Sequence, residues 1–153
     1  MRALIQRVDW AEVEAAGRTV GRIEAGLLVY VGVGVSDTPA DAEALGKKVA
    51  HLRIFEDAEE KLNLSVGDVG GAILVIPNFT LQADARKGRR PAFVNAMGGE
   101  EANRLQQAFA DALRAEGCRV EQGVFGANMT IRAAAAGPVN LVVDIPPAGA
   151  GSA

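Results

Sequence analysis

The sequence predicts an α/β fold in which a mixed, largely antiparallel sheet, closed or nearly closed into a barrel, has two long helices packed outside it. Two observations support this. β-Compatible segments recur along the whole chain, whereas apolar residues at helical spacing occur in only two long segments. Elements in this combination bury their apolar faces by packing the helices against one sheet. The length of 153 residues, with 49% hydrophobic and 23% charged residues, fits one globular domain.

The first third of the chain predicts three strands. Residues 2–14 and 18–24 are β-compatible and flank Ala16-Gly17, which suits a hairpin turn. Residues 26–35 are apolar on both faces, which indicates a central strand that is covered on both sides.

A helix is predicted over residues 39–53. Thr38 can cap its start, and Pro39 suits the first helical position. An apolar stripe at helical spacing follows, formed by Leu45, Val49 and Leu52. His51 lies beside that stripe, which favours a structural role for this histidine over a catalytic one.

The rest of the chain combines turns, strands and a second helix. Residues 57–70 are polar and turn-rich, and the apolar strand that follows them ends at Pro77, which has no N–H for a sheet. A second helix is predicted over residues 100–116, with Gly117 ending it. The remaining strands are predicted at residues 71–76, 118–124, 127–134 and 139–145.

One domain is predicted over residues 1–145. The tail, residues 146–153, has nothing to bury and is predicted to be disordered. Charged residues near the N-terminus interrupt any signal-peptide core, and the longest apolar stretch is too short to span a membrane. Cys118 is the single cysteine, which fits a reducing cytosol, and with one histidine it cannot complete a zinc site. We therefore expect a cytoplasmic protein with no metal, cofactor or membrane partner.

Charge and motif searches leave few catalytic candidates. The net charge of −3 is not that of a typical nucleic-acid binder, so any RNA contacts must be local. The best local candidate is the basic loop, residues 86–90, with Arg86, Lys87, Arg89 and Arg90; the alternative is a solvated basic turn. Two further segments stand out: Pro77-Asn78-Phe79-Thr80-Leu81, directly after a buried strand, and the Gly137-Pro138 step before the last strand. Taken singly, each also fits an ordinary loop.

Together these segments belong to a longer pattern. The chain resembles the bacterial-type D-aminoacyl-tRNA deacylases, also called D-tyrosyl-tRNA deacylases, over roughly residues 1–145. The matching pieces are Ala3-Leu-Ile-Gln-Arg-Val8, Gly26-Leu-Leu-Val29, Arg53-Ile-Phe-Glu-Asp-Ala58 with Lys61-Leu-Asn-Leu64, Phe79-Thr-Leu81, Lys87-Gly-Arg-Arg-Pro-Ala-Phe93, Gly123-Val-Phe-Gly-Ala127 with Met129, and Gly137-Pro-Val139.

The resemblance implies hydrolysis of the ester of a D-aminoacyl-tRNA, which releases the D-amino acid and free tRNA and so proofreads chirality in translation. It also implies a homodimer in which the Gly137-Pro138 step, in cis, reaches into the partner's pocket. Two rigid carbonyls there accept from the substrate's amino group and leave no room for an L side chain.

The implied pocket floor is the segment from Pro77 to Leu81, with Phe125 and Met129. Thr80 could be a nucleophile, but no general base near it in the sequence is apparent to activate it, so we expect a positioning or hydrogen-bonding role instead. The backbone N–H groups of residues 78–80 can form an oxyanion hole, and the terminal 2′-hydroxyl of the tRNA can assist the attack. The basic loop would hold the acceptor-end phosphates.

The sequence departs from the family pattern inside both motifs. Pro77 and Asn78 replace the usual serine and glutamine, and Ala135-Ala-Gly-Pro-Val-Asn140 replaces Asn-x-Gly-Pro-Val-Thr. Three alternatives therefore stay open: an editing deacylase with relaxed chirality that accepts glycine or small L-amino acids, an inactive tRNA-binding homologue, and a hydrolase of D-amino-acid esters without RNA.

Overall fold

The computed structural model describes residues 1–146, which form eight strands and two α-helices. The strands are β1 (Arg2–Ala15), β2 (Arg18–Ile23), β3 (Gly26–Gly32), β4 (Phe55–Glu56), β5 (Leu62–Leu64), β6 (Ala72–Pro77), β7 (Arg119–Gln122) and β8 (Met129–Asp144). The helices are α1 (Pro39–Ala50) and α2 (Gly99–Ala115), and a 3₁₀ turn covers Phe79–Gln82. None of the helices in this described part of the chain is long and apolar enough to cross a membrane.

The main sheet is built around β1. Its strand order is β2-β1-β3-β6-β7, and β8 lies along the other edge of β1. The pairs that involve β1 are all antiparallel, whereas β3–β6 and β6–β7 are parallel. The sheet curls into a nearly closed barrel, and the predicted mixed, largely antiparallel α/β fold is confirmed.

The two helices pack on each other and on one face of the sheet. α1 begins with a capping box in which Thr38 and Asp41 satisfy each other's backbone N–H groups. At Gly46 an added Cβ would lie 2.6 Å from the Cβ of Ala112, so the two helices approach closely there. Phe109 and Leu113 of α2 and Leu45 of α1 are fully buried in the core that results.

The structure corrects the predicted strands at residues 127–134 and 139–145, which are one strand. β8 runs from Met129 to Asp144 and pairs with β1 on both sides of the Gly137-Pro138 step. Gln6 pairs with Asn140 and Val8 with Ala135, so residues 136–139 bulge out opposite a single residue of β1. A bulge absorbs a proline that cannot bond in the ladder, which is why the strand continues.

Three smaller differences concern element ends and one hairpin. α1 ends at Ala50, with His51 as its C-cap, and β3 ends at Gly32. The polar segment at residues 57–70 contributes β5, which pairs with β4 in a two-stranded sheet that the sequence did not predict. Residues 147–153 lie outside the described residues, so the predicted disorder of the tail stays a prediction.

Candidate functional site

A cavity of about 730 Å³ opens at the end of β6. Its walls come from the residue after β3, from the end of β6 and the segment that follows it, from the loop before α2, from the first two turns of α2, and from the loop between β7 and β8 with the start of β8. The residues that line it are Val33, Pro77, Asn78, Phe79, Phe93, Ala96, Met97, Gly98, Gly99, Ala102, Gln106, Phe125, Gly126, Ala127, Asn128 and Met129. The structure thus brings five predicted site residues together: Pro77, Asn78, Phe79, Phe125 and Met129.

The floor of the cavity is fixed by the carbonyl groups at the end of β3. The backbone N–H of Asn78 donates to the Val31 carbonyl at 2.9 Å. The side-chain amide of Gln82 donates to the Gly32 carbonyl at 2.9 Å. An added Cβ at Gly32 would lie 2.9 Å from the Asn78 carbonyl oxygen, so only glycine lets the floor lie this close to β3.

These contacts correct the predicted oxyanion hole. The N–H of Asn78 is already bonded to Val31, so it is not available to a ligand. Phe79 and Thr80 open the 3₁₀ turn, and the first N–H groups of a helical turn have no acceptor within it. The predicted oxyanion hole is thus reduced to the N–H groups of Phe79 and Thr80 and stays a prediction; of these two residues, Phe79 lines the cavity.

Thr80 is not among the residues that line the cavity. It is exposed, and its hydroxyl donates to the Asn78 side-chain oxygen. That contact orients the Asn78 amide, which itself lines the cavity. The positioning role predicted for Thr80 fits this geometry, and its role in the reaction stays a prediction.

No titratable side chain lines the cavity among the described residues. Within residues 1–146 there is also no group of three or more His, Cys, Asp or Glu side chains that could hold a metal ion. The residues that line the cavity carry side-chain amides, at Asn78, Gln106 and Asn128, and apolar side chains. Such a site can stabilise developing negative charge, while the attacking group must be activated by something other than a lining side chain.

The Gly137-Pro138 step lies outside this cavity, exposed on the bulge of β8, and its peptide bond is cis. The side chain of Arg7 fixes the bulge through hydrogen bonds. Its guanidinium donates from Nε to the Ala136 carbonyl at 3.3 Å and from Nη1 to the Ile54 carbonyl at 3.0 Å. An added Cβ at Gly137 would lie 3.0 Å from Nη2 of Arg7, so the guanidinium lies directly against the step.

The basic loop projects from an antiparallel bridge at its base, where Asp84 and Ala92 exchange two backbone hydrogen bonds of 2.8 Å. Arg86 donates to both oxygens of Asp84, at 2.9 and 2.6 Å, and these bonds lower the pKa of the Asp84 carboxyl. For Lys87, Arg89 and Arg90 the described residues provide no ion pair. Three of the four predicted cations are therefore free, and Arg86 is neutralised.

His51 and Cys118 lie away from the cavity. Nε2 of His51 is 2.6 Å from a Glu116 side-chain oxygen, and this pair joins the C-terminal ends of α1 and α2. Cys118 is partly buried against the core, and burial raises the pKa of its thiol. Both placements agree with the structural roles predicted for these residues.

Sequence reasoning missed Gln106, Phe93 and Arg7 as site residues. Gln106 is 5% exposed, and its Nε2 donates to the Val31 carbonyl at 3.1 Å, the same carbonyl that accepts from Asn78. A polar residue beside the apolar residues Leu105 and Phe109 was the available signal. For Arg7 the signal was the adjacent pair Gln6-Arg7, which interrupts the alternation of β1.

The chain matches the family model described as D-Tyr-tRNA(Tyr) deacylase over residues 4–144. It is 55% identical to the D-aminoacyl-tRNA deacylase of Chloroflexus aurantiacus (strain ATCC 29364 / DSM 637 / Y-400-fl) over 144 residues, which cover 94% of this chain and 90% of the relative. Its identity to the enzyme of the same name from Anoxybacillus flavithermus (strain DSM 21510 / WK1) is 50%, covering 94% of this chain and 99% of the relative. A solved structure of the c-Myc DNA Unwinding Element Binding Protein is similar with a TM-score of 0.89 at 35% identity, covering 95% of this chain and 99% of that one.

Proposed function

The chain belongs to the D-Tyr-tRNA(Tyr) deacylase family, and we propose that it hydrolyses the ester bond of D-aminoacyl-tRNA in the cavity at the end of β6. The products are the D-amino acid and free tRNA, so the protein is a carboxylic-ester hydrolase that acts in the quality control of translation. The observation that carries the proposal is a cavity that brings together Pro77, Asn78, Phe79, Phe125 and Met129, with no titratable lining side chain among the described residues.

The reaction needs an oxyanion site and an activated nucleophile. The carbonyl oxygen of the ester accepts from the N–H groups of Phe79 and Thr80, which stabilise the negative charge that develops as water attacks. Because no lining side chain can act as general base, the neighbouring 2′-hydroxyl of the terminal ribose takes a proton from that water and passes its own proton to the ester's ribose oxygen, which leaves as the free hydroxyl of the tRNA. Asn78, held by Thr80, positions the ribose or the ester.

Chirality is set across a homodimer. The Gly137-Pro138 step of one subunit enters the cavity of the other, where its carbonyl groups face the substrate's α-carbon and exclude an L side chain. Two features support this. The step is exposed outside the cavity of its own chain, and it lies on a bulge that Arg7 fixes through backbone carbonyls.

Arg7 also bears on the departure at residue 135. A polar side chain is absent at Ala135, but Arg7 donates to the backbone carbonyl groups of Ala136 and Ile54, which are present whatever the side chain. The bulge therefore keeps its support in spite of this substitution. This favours the D-selective activity over the alternative with relaxed chirality.

The partner outside the dimer is the acceptor end of aminoacyl-tRNA, in the cytoplasm. Lys87, Arg89 and Arg90 bind its phosphates, and Arg86 shapes the loop through Asp84.

The test is the release of D-tyrosine from D-Tyr-tRNA by the purified protein, with two variations. Thr80→Val is expected to keep hydrolysis within about tenfold of wild type, because losing one hydrogen bond to Asn78 changes the barrier by about 1.4 kcal/mol or less. A tRNA that ends in 2′-deoxyadenosine is expected to be hydrolysed at least about 100-fold more slowly, the size of a general-base contribution. Absence of D-tyrosine release by the wild type would contradict the proposed function.

A further inference from the structure

The α-ammonium group of Met1 is buried in an ion pair just before β1. It is 0% exposed and lies 2.6 Å from Oδ1 of Asp37, whose side chain is 3% exposed. The same nitrogen donates to the Ile145 carbonyl at 2.9 Å, and the Met1 carbonyl accepts from the Ile145 N–H at 2.9 Å. Because the Met1 side chain also packs in the hydrophobic core, every part of this residue is built into the fold.

Asp37 uses its two carboxylate oxygens for different partners. Oδ1 faces the ammonium group, while Oδ2 accepts from the Gly34 N–H at 2.6 Å. The Asp37 N–H donates in turn to the Gly34 carbonyl at 3.1 Å, so residues 34–37 form a tight turn. The carboxylate depends on the ammonium group, because a buried charge that lacks a partner of opposite sign is strongly unfavourable.

The turn that Asp37 closes supports one wall of the cavity. Gly34 forms an antiparallel bridge with Ala96. Beside this bridge, the Met97 N–H donates to the Val33 carbonyl at 2.9 Å. Val33, Ala96 and Met97 all line the cavity, so a displacement of the turn would move this wall.

We propose that the free ammonium group of Met1 is the counter-ion through which Asp37 positions the cavity wall, so that a formyl or acetyl group on this nitrogen lowers both stability and hydrolysis. Acylation by an anhydride forms an N–C bond, expels the carboxylate of the donor and releases two protons from the ammonium group, which becomes a neutral amide. The Asp37 carboxylate then lies buried without its cation. The effect on hydrolysis rests on the proposed function, whereas the effect on stability does not.

The first experiment compares the Tm of four proteins: the chain beginning at Met1 and the same chain with a Gly-Ser dipeptide before Met1, each with and without Asp37→Asn. The dipeptide replaces the ammonium group by an amide, as an acyl group does. It is expected to lower the Tm by roughly 6–20 °C, the shift for removing one partner of a buried ion pair. In the Asp37→Asn protein the dipeptide is expected to lower the Tm by about half as much or less, because no carboxylate is left unpaired.

Asp144→Asn is the matched control for the loss of a carboxylate. Asp144 lies at the end of β8 but is 54% exposed and pairs with Arg2 at the surface. Its replacement is expected to lower the Tm by about 4 °C or less, since exposed ion pairs contribute little.

Hydrogen exchange and kinetics, measured well below the Tm of each protein, separate positioning from stability. The dipeptide is expected to speed the exchange of the Met97 N–H about tenfold or more. The Gly123 N–H, which donates to the Val75 carbonyl of β6, is expected to exchange as in the wild type. The kcat for D-Tyr-tRNA is expected to fall roughly 10- to 100-fold, as for a misplaced substrate. A merely structural ion pair would lower the Tm and leave kcat unchanged.

Limited acetylation with acetic anhydride tests the burial of the amine in the wild-type protein. The exposed Lys87 is expected to react in the folded protein while the Met1 nitrogen does not, and both are expected to react in urea. Equal reactivity of the two amines in the folded protein would overturn the buried ion pair.

The other outcomes also decide. A wild-type Tm in the extended chain, or the same loss of Tm with and without Asp37→Asn, would show that the charge on Met1 does not stabilise the fold. Unchanged kcat and unchanged Met97 exchange would overturn the positioning of the wall. Absence of D-Tyr-tRNA hydrolysis by the wild type contradicts the proposed function, and the exchange of the Met97 N–H then decides alone whether the ammonium group positions the wall.

Discussion

Arg7→Lys tests how the Gly137-Pro138 bulge is held. Arg7 is 12% exposed in its side chain and donates to two carbonyl groups, those of Ile54 and Ala136, which belong to different parts of the chain. Lysine keeps the positive charge, but its compact ammonium group lacks the widely spaced N–H donors of the planar guanidinium. It can therefore retain one of these contacts and not both. A hydrogen bond from a charged group contributes about 1.5–3 kcal/mol, and the 3.3 Å contact to Ala136 lies at the weak end of that range.

The expected loss is therefore about 1.5 kcal/mol of unfolding free energy, or a fall in Tm of about 3–6 °C for a chain of this size. Urea denaturation measures the first quantity. If the bulge carries the chiral filter, the ratio of D-Tyr to L-Tyr release should also fall by up to about tenfold, the equivalent of 1.4 kcal/mol. Arg132→Lys is the matched control, because Arg132 lies on β8 but makes only exposed ion pairs with Glu12 and Glu14. An Arg7→Lys protein with wild-type stability and selectivity would refute this reasoning.

Three further predictions concern the cavity floor, the helix contact and the basic loop. Gln106→Leu should lower kcat/KM for D-Tyr-tRNA about tenfold while unfolding free energy changes by about 1 kcal/mol or less, because Val31 still accepts from Asn78; an unchanged kcat/KM would show that the amide has no part in the site. Gly46→Ala should lower the unfolding free energy, measured by urea denaturation, by about 1 kcal/mol. Overpacking against Ala112 costs about 1–3 kcal/mol, which outweighs the roughly 1 kcal/mol gain in helix propensity. A stabilised variant would contradict the close helix contact. Asp84→Asn should free Arg86 and steepen the salt dependence of tRNA binding by about 0.7 in slope, measured by filter binding. Because the pKa of Asp84 is lowered from 3.8, the carboxylate and its Arg86 pair persist down to that pH and are lost only below it, so the wild-type slope should be equal at pH 5 and pH 7.

The elements that the sequence predicted well are those whose signals are local. The capping residues around Thr38 and the apolar stripe of α1 lie within a few turns of one another, and β3 and β6 are short apolar runs with turn residues at their ends. The cavity floor at residues 77–79 was predicted from a motif directly after β6.

The features that the sequence did not predict depend on residues far apart in the chain. β8 continues through Gly137-Pro138 only because β1 pairs with it on both sides of the bulge, more than 120 residues away. The N–H of Asn78 donates to Val31 because β3 lies beside it, and a motif of consecutive residues carries no information about that neighbouring strand. Arg86 shows a different limit. All four cations of the basic loop were predicted to bind phosphate, although Asp84, two residues before Arg86, neutralises Arg86.

The most direct test of the account compares the wild-type rates of D-Tyr, L-Tyr and glycine release from the same tRNA. We expect fast release of D-tyrosine and release of L-tyrosine at the uncatalysed rate, with glycine released more slowly than D-tyrosine. Equal release of D- and L-tyrosine would contradict a chiral filter built from the Gly137-Pro138 step, and release of none of the three would leave a protein that binds tRNA without hydrolysing its ester.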